Sequence, residues 1–421
     1  MKEVKVDVIQ EVNETFRSIM DHVGKKQPEN RWLYEPVAKY FELVCAGMAN
    51  QQPMLWYFIG LVFPELFRAM DITAFSPEYA CAVMSSLRRM NLKYLDLANE
   101  KVPEHICSMS RFPIGLALSG DAKIPDMVIY AAVNPCDSAP ATYSNLAHYY
   151  NIPAFCLDIP YIADERAEEY VSKQIQGMVS FVEKQTNHKL DVDRLRQAIG
   201  YSNQILDYAA KLDELRKNVP SPTTGRALMA TGVATLGLLG VPDMVDWCKR
   251  QYELTKEKVV KREGVVPEEK FRLVWISSTG IDFDLGISDW LESQYGAVTV
   301  ATLVSMAPHG QIDTGGDLSK IFKGLAKRTM NLPVAKFGRG SAEAFIDECI
   351  TIARDYKADA AVFAGNVGCK YGWATAQVAK DALYSEVGIP TLLFEVDPED
   401  PRVVSTESIK AKFEQFFELV L

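Results

Sequence analysis

Met127-Val128-Ile129-Tyr130-Ala131-Ala132-Val133-Asn134-Pro135-Cys136-Asp137 decides the fold of this 421-residue chain. The apolar run Met127–Val133 has the length and composition of a buried strand, and it stops at an Asn-Pro turn just before a cysteine. Helical spacing follows from about Ala139 to Tyr149, and Ala154–Ile159 is again strand-like. Strand, helix and strand in succession predict parallel pairing through crossovers. Upstream, Ile106-Cys107-Ser108-Met109-Ser110-Arg111 places a second cysteine at a loop end. Far downstream, Cys369 follows the strand-like run Ala358–Phe363. The spacings match no known cluster motif. Ligands in open α/β sheets nevertheless gather at the carboxyl ends of strands, and thiolates suit iron–sulfur clusters.

The alternation recurs along the chain. Val8, Val12, Phe16 and Ile19 predict an N-terminal helix, and Tyr34, Val37, Tyr40 and Phe41 another. Leu55–Phe67 is apolar and aromatic, with Pro64 opening a helix. Ile72–Phe75 reads as a short strand. Ser76-Pro77-Glu78 then opens a helix, with Ser76 as N-cap and Glu78 favourable at its positive end. Ala167–Leu215 is charged and helix-periodic, and Asn218–Gly225, rich in Pro, Ser and Thr, is the clearest break. Beyond it come a helical stretch to Lys261 and strands at Phe271–Ile276, Val298–Val304, Ala358–Phe363 and Pro390–Glu395. The closing helix, Ser405–Val420, puts Ile409, Phe413, Phe416 and Val420 on one core stripe. The fold expected is α/β, with two Rossmann-like (flavodoxin-like) parallel-sheet domains plus an N-terminal helical segment. Its divisions are 1–46 for the helical segment, 47–218 for the first α/β domain and 219–421 for the second with its helical lead-in.

Bulk properties exclude several classes. The net charge of −10, with 24% charged and 48% hydrophobic residues, argues against a nucleic-acid surface, which needs clustered Lys and Arg. Met54–Pro64 and Ala227–Val241 are the longest apolar runs. Both fall short of a bilayer span, and no secretory signal precedes them, so a soluble cytoplasmic protein is expected. Disulfides are not expected in that setting, and none of the eight cysteines forms a CxxC pair. Cys81, Cys156, Cys248 and Cys349 read as buried structural residues. The five histidines contain no HExxH, and neither a P-loop nor a serine-hydrolase motif occurs. Gly338-Arg339-Gly340-Ser341 is read as a plain capped turn, with Ser341 capping the next helix.

Taken together, several segments resemble the 2-hydroxyacyl-CoA dehydratase and benzoyl-CoA reductase family. Glu104-His105-Ile106-Cys107-Ser108-Met109-Ser110-Arg111 is similar to its first ligand segment. Pro125-Asp126-Met127 through Asn134-Pro135-Cys136-Asp137 is similar to the second, continuing through Tyr149–Pro153 and Asp158–Tyr161. Gly368-Cys369-Lys370 is similar to the third, with Gly388-Ile389-Pro390 and Asp397–Arg402 behind it. The likeness covers about residues 70–421. It implies a [4Fe–4S] cluster on Cys107, Cys136 and Cys369 with one iron open. It implies an acyl-CoA thioester substrate, a related second subunit in a heterodimer, and an ATP-dependent iron–sulfur activator that supplies a low-potential electron. It further implies a ketyl radical that, in the dehydratases, expels a 2-hydroxyl to give an enoyl-CoA. A lyase is therefore the first expectation, with an oxidoreductase acting on an aromatic acyl-CoA second and an electron-relay or scaffold subunit third. Glu78 matches the family's acidic residue in Pro-Glu and is the catalytic candidate. Leu61 falls where many dehydratase subunits carry a hydroxyl that helps hold oxygen at the open iron, which favours a different substrate or reaction.

Overall fold

The computed structural model describes residues 7–61, 63–87, 89–132, 134–277, 285–303, 310–338 and 342–420. Two four-stranded, all-parallel sheets form its framework. The first contains β1 (Met54–Tyr57), β2 (Thr73–Phe75), β3 (Met127–Ala131) and β4 (Ala154–Leu157), in the order β2-β1-β3-β4. The second contains β5 (Phe271–Trp275), β6 (Ala297–Thr302), β7 (Ala360–Asn366) and β8 (Thr391–Val396), in the order β6-β5-β7-β8. Each sheet reverses its winding between its first and third strands, which is the flavodoxin-like arrangement.

Parallel strands covered by helices on both faces read as continuous apolar runs because neither face meets water. The second sheet shows this residue by residue. Leu273 and Trp275 point into one core with Val362 and Phe413, whereas Val274 and Ile276 point into the other with Phe363 and Leu383. In the first sheet Leu55, Trp56 and Ile129 are fully enclosed. β1 is hidden within the apolar run Leu55–Phe67, and it is the strand on which β2 and β3 both pair.

The N-terminal segment forms the helices Val8–Lys26 and Glu35–Ala49, joined by a 3-10 turn over Pro28–Tyr34. Helices Glu165–Thr186, Val192–Arg216, Gly225–Gly237 and Pro242–Lys261 connect the sheets. Buried charges bind this connector to the sheets. Glu65, paired with Arg328 at 2.8 Å, accepts from the Ser202 hydroxyl, and Arg272, paired with Glu269 at 2.6 Å, donates to the carbonyl of Asn218. None of the described helices is long and apolar enough to cross a membrane.

Two expectations need correction. Cys156 is exposed, because β4 is an edge strand and its outward side chains lack a covering layer. Val420 is 53% exposed, because the closing helix ends at Leu419 and the buried stripe is completed by Phe417. Val304 and the Arg339-Gly340-Ser341 turn lie outside the described residues.

Candidate active site

Three cysteines and the Glu78 carboxyl, from four separate segments, line a single cavity of about 260 Å³. Cys107 is the N-cap of the helix Ser108–Ser119, and Cys369 is the N-cap of Lys370–Glu386. Cys136 lies beyond the carboxyl end of β3, two residues before the helix Ser138–Tyr150. All three thiols therefore meet the positive ends of helices, where backbone N–H groups lack intrahelical partners. The backbone amides of Ser110, and of Ser138 and Ala139, lie where they favour the thiolate forms of Cys107 and Cys136 respectively.

The close approach of the two α/β units depends on Gly368. A Cβ at this position would lie 2.4 Å from the Cys107 nitrogen and 2.6 Å from its Cα, so only glycine lets the loop carrying Cys369 settle against Cys107. Asn366 shapes that loop: its Oδ1 accepts from the Gly368 N–H at 2.8 Å, and its carbonyl accepts from the Cys369 N–H at 2.9 Å. Lys370 pairs with Asp137 at 2.9 Å, which ties the residue after Cys369 to the residue after Cys136.

Electrostatics further define these thiols. Burial pushes the Cys107 thiol well above the ordinary range, with a further rise from Glu399, and it pushes Cys136 up to about 11. Neither is a poised nucleophile, which would need a lowered value. Metal binding is the chemistry that would hold them as thiolates. Among the described residues no three His, Cys, Asp or Glu side chains can hold a single metal ion. A polynuclear cluster has a different requirement, because each thiolate takes its own iron and the sulfurs stand apart around a shared centre. Three thiols from separate loops around one cavity, with backbone amides that favour the thiolate at two of them, fit that requirement.

Glu78 is 1% exposed in the first turn of the helix Pro77–Ser86. Its Oε2 accepts from the Tyr143 hydroxyl at 2.6 Å and the Ser76 hydroxyl at 3.1 Å. Its Oε1 has no hydrogen-bond partner among the described residues. Burial pushes this carboxyl up to about 7 against the opposing hydrogen bonds, so it exchanges a proton near neutrality. Leu61 is buried and does not line the cavity, which draws hydroxyls instead from Ser110, Ser138, Ser277 and Thr375.

Sequence reasoning missed two supports. Tyr143 lies on the buried face Ala139–Tyr143–Leu146, within a stretch whose spacing indicated only a helix. Behind Cys107, the Ser108 hydroxyl stands 2.5 Å from Asp397 Oδ1 and 3.1 Å from Glu399 Oε2. One hydroxyl hydrogen cannot serve both acceptors, and burial raises both carboxyls, so the pair holds a proton to higher pH than isolated carboxyls would. The Asp397–Arg402 segment was visible as a motif, but nothing in it revealed a partner at Ser108.

Residues 61–420 match the sequence model of the family described as 2-hydroxyglutaryl-CoA dehydratase, D-component. The chain belongs to that family. The match spans Glu78 and all three cysteines. Among curated proteins of this family, the chain is similar to one of the subunits of benzoyl-CoA reductase from Thauera aromatica. The two are 24% identical over 426 residues, covering 92% of this chain and 93% of the relative. The chain is a subunit of the dehydratase/reductase type.

Proposed function

We propose that this protein is the [4Fe–4S]-bearing subunit of an enzyme acting on an acyl-CoA thioester, and that the reaction is loss of water from a 2-hydroxyacyl-CoA. The observation that carries this reading is the meeting of Cys107, Cys136 and Cys369 at one cavity beside a buried carboxyl with a free oxygen. When bound, the cluster supplies a low-potential electron and an iron position open to oxygen. The three thiols hold it, and the Ser110, Ser138 and Ala139 amides stabilise negative charge on two of them.

Glu78 moves the proton at Oε1. Dehydration requires a proton for the departing hydroxyl and a base for the hydrogen lost from the adjacent carbon. A carboxyl titrating near 7 can serve either need. Tyr143 and Ser76 hold Oε2, which leaves Oε1 the only oxygen free for transfer. A related second subunit and an ATP-dependent activator complete the proposed system.

Reduction of an aromatic acyl-CoA is the second reading. It is favoured by the reductase subunit to which the chain is similar. Iron and acid-labile sulfide on anaerobically purified protein test the common basis. About four of each per chain are expected, falling sharply in Cys107→Ala, Cys136→Ala and Cys369→Ala but not in Cys156→Ala. Iron-free protein with all variants stable would overturn the proposal. Turnover of 2-hydroxyacyl-CoA against aromatic acyl-CoA, with partner and activator present, separates the two reactions.

A further inference from the structure

The cavity has a wall that the cysteines and Glu78 do not account for. The helix Gly225–Gly237 turns Met229, Val233 and Leu236 toward it, and this spacing places all three on one helical face. Ile59, Leu332 and Phe345 approach from other segments. The apolar run Ala227–Val241, too short to span a bilayer, thus supplies one side of a cavity as well as core.

Charge at the lining is sparse. Among the described residues it is confined to Glu78, Asp137 and Lys370. The last two pair with each other, and the Lys370 side chain is 76% exposed. Glu78 is itself a carboxyl. A ligand bearing a free carboxylate would therefore bury its charge among Met, Val, Leu and Phe side chains, where among the described residues the one lining cation is already paired with Asp137, and beside a group of its own sign. Such burial is strongly unfavourable.

Resting on the acyl-CoA reading above, we infer that the acyl group accepted here is uncharged and apolar, aromatic or branched aliphatic, and that the thioesters of dicarboxylic acids are rejected. Met229, Val233 and Leu236 are the residues that set this preference.

Equilibrium binding to anaerobically purified protein, with iron measured on every sample, tests the inference. The probes are benzoyl-CoA, 4-methylpentanoyl-CoA, glutaryl-CoA and free CoA, the last to subtract the contribution of the carrier. Benzoyl-CoA or 4-methylpentanoyl-CoA is expected to bind about 100-fold more tightly than glutaryl-CoA, and the stronger of the two identifies the shape of the group. Leu236→Arg places a cation in the wall and is expected to narrow or reverse that ratio. Leu236→Ala, a gentler change, should weaken the apolar ligands about tenfold and leave glutaryl-CoA unaffected. With iron present, glutaryl-CoA binding as tightly as the apolar thioesters overturns the inference and leaves the proposed function standing. Protein without iron, or with no acyl-CoA preferred over CoA, overturns both.

Discussion

Replacing Glu78 by glutamine removes one ionisable proton from a buried wall and keeps the side chain's shape. The folded carboxyl titrates at about 7, against 4.5 ordinarily. Below both values the folded and unfolded chains each carry the proton. As pH rises past the lower value, the unfolded chain releases it while the folded chain keeps it, so stability falls, and the loss is complete once pH exceeds the folded value. The full separation is worth about 3 kcal/mol, of which about 2 kcal/mol falls between about pH 5.5 and about pH 8.5. Glutamine is neutral throughout, and its amide oxygen can still accept from Tyr143. Glu78→Gln is therefore expected to gain about 2 kcal/mol on the wild type between these two pH values, while losing proton transfer at this position. Urea unfolding of anaerobic protein at both pH values, followed by tryptophan fluorescence and circular dichroism, measures the difference from midpoints and slopes. The first transition is compared if the two sheets unfold separately. Parallel profiles for wild type and variant would mean that Glu78 ionises as an ordinary carboxyl, and its proposed role would lose its basis.

Gly368→Ala drives a Cβ to 2.4 Å from the Cys107 nitrogen, a backbone atom that cannot rotate away, so the two cysteine loops must part. The expected result is a sharp loss of iron with destabilisation of only about 1–3 kcal/mol, whereas Gly200→Ala, with open space around its Cβ, retains its iron; equal iron in both variants would refute the packing argument. Tyr143→Phe deletes a hydrogen bond that lowers the Glu78 value, so the carboxyl should stay protonated to higher pH than in the wild type. Infrared titration of the protonated carboxyl band, with Glu78→Gln as the blank, checks the direction, and an unchanged or lower midpoint would count against it.

The legible parts of the sequence were those in which one local pattern suffices. β3 and β7 are uninterrupted apolar runs with both faces buried, and each is followed by a loop cysteine. Ser76-Pro77-Glu78 announced its helix start, and the Ser76 hydroxyl accepts from the Tyr79 N–H at 3.4 Å. β1 was not legible, because four enclosed residues within a longer apolar stretch give no alternation by which to place a boundary. The polar environment of Glu78 was equally hidden. Its distinguishing partner is Tyr143, 65 positions away, and two residues that far apart carry no common periodic signal. The wall formed by Met229, Val233 and Leu236 looked like ordinary helix core for the same reason. What a helical face meets is decided by the packing of distant segments, which propensity and pattern do not encode.

The two sheets share one strand order, and that duplication explains why two of the cysteines meet. β3 holds the same place in the first sheet as β7 in the second, beside the strand where the winding reverses. Cys136 leaves the first position and Cys369 the second, each entering a helix that packs back on its own sheet. β1 contributes the Phe58–Gly60 loop to the cavity and β5 contributes Ser277, so both reversal points open on the same space. Cys107 breaks the symmetry. It comes from the start of a helix inserted between β2 and β3, and it is held on two sides by the second unit. Gly368 lies against its backbone, and Asp397 and Glu399 lie against the adjacent Ser108. Neither unit carries three of these cysteines alone. The set is completed only by the junction between the units, so the contacts at Gly368 and Ser108 govern whether the three thiols stand around one centre.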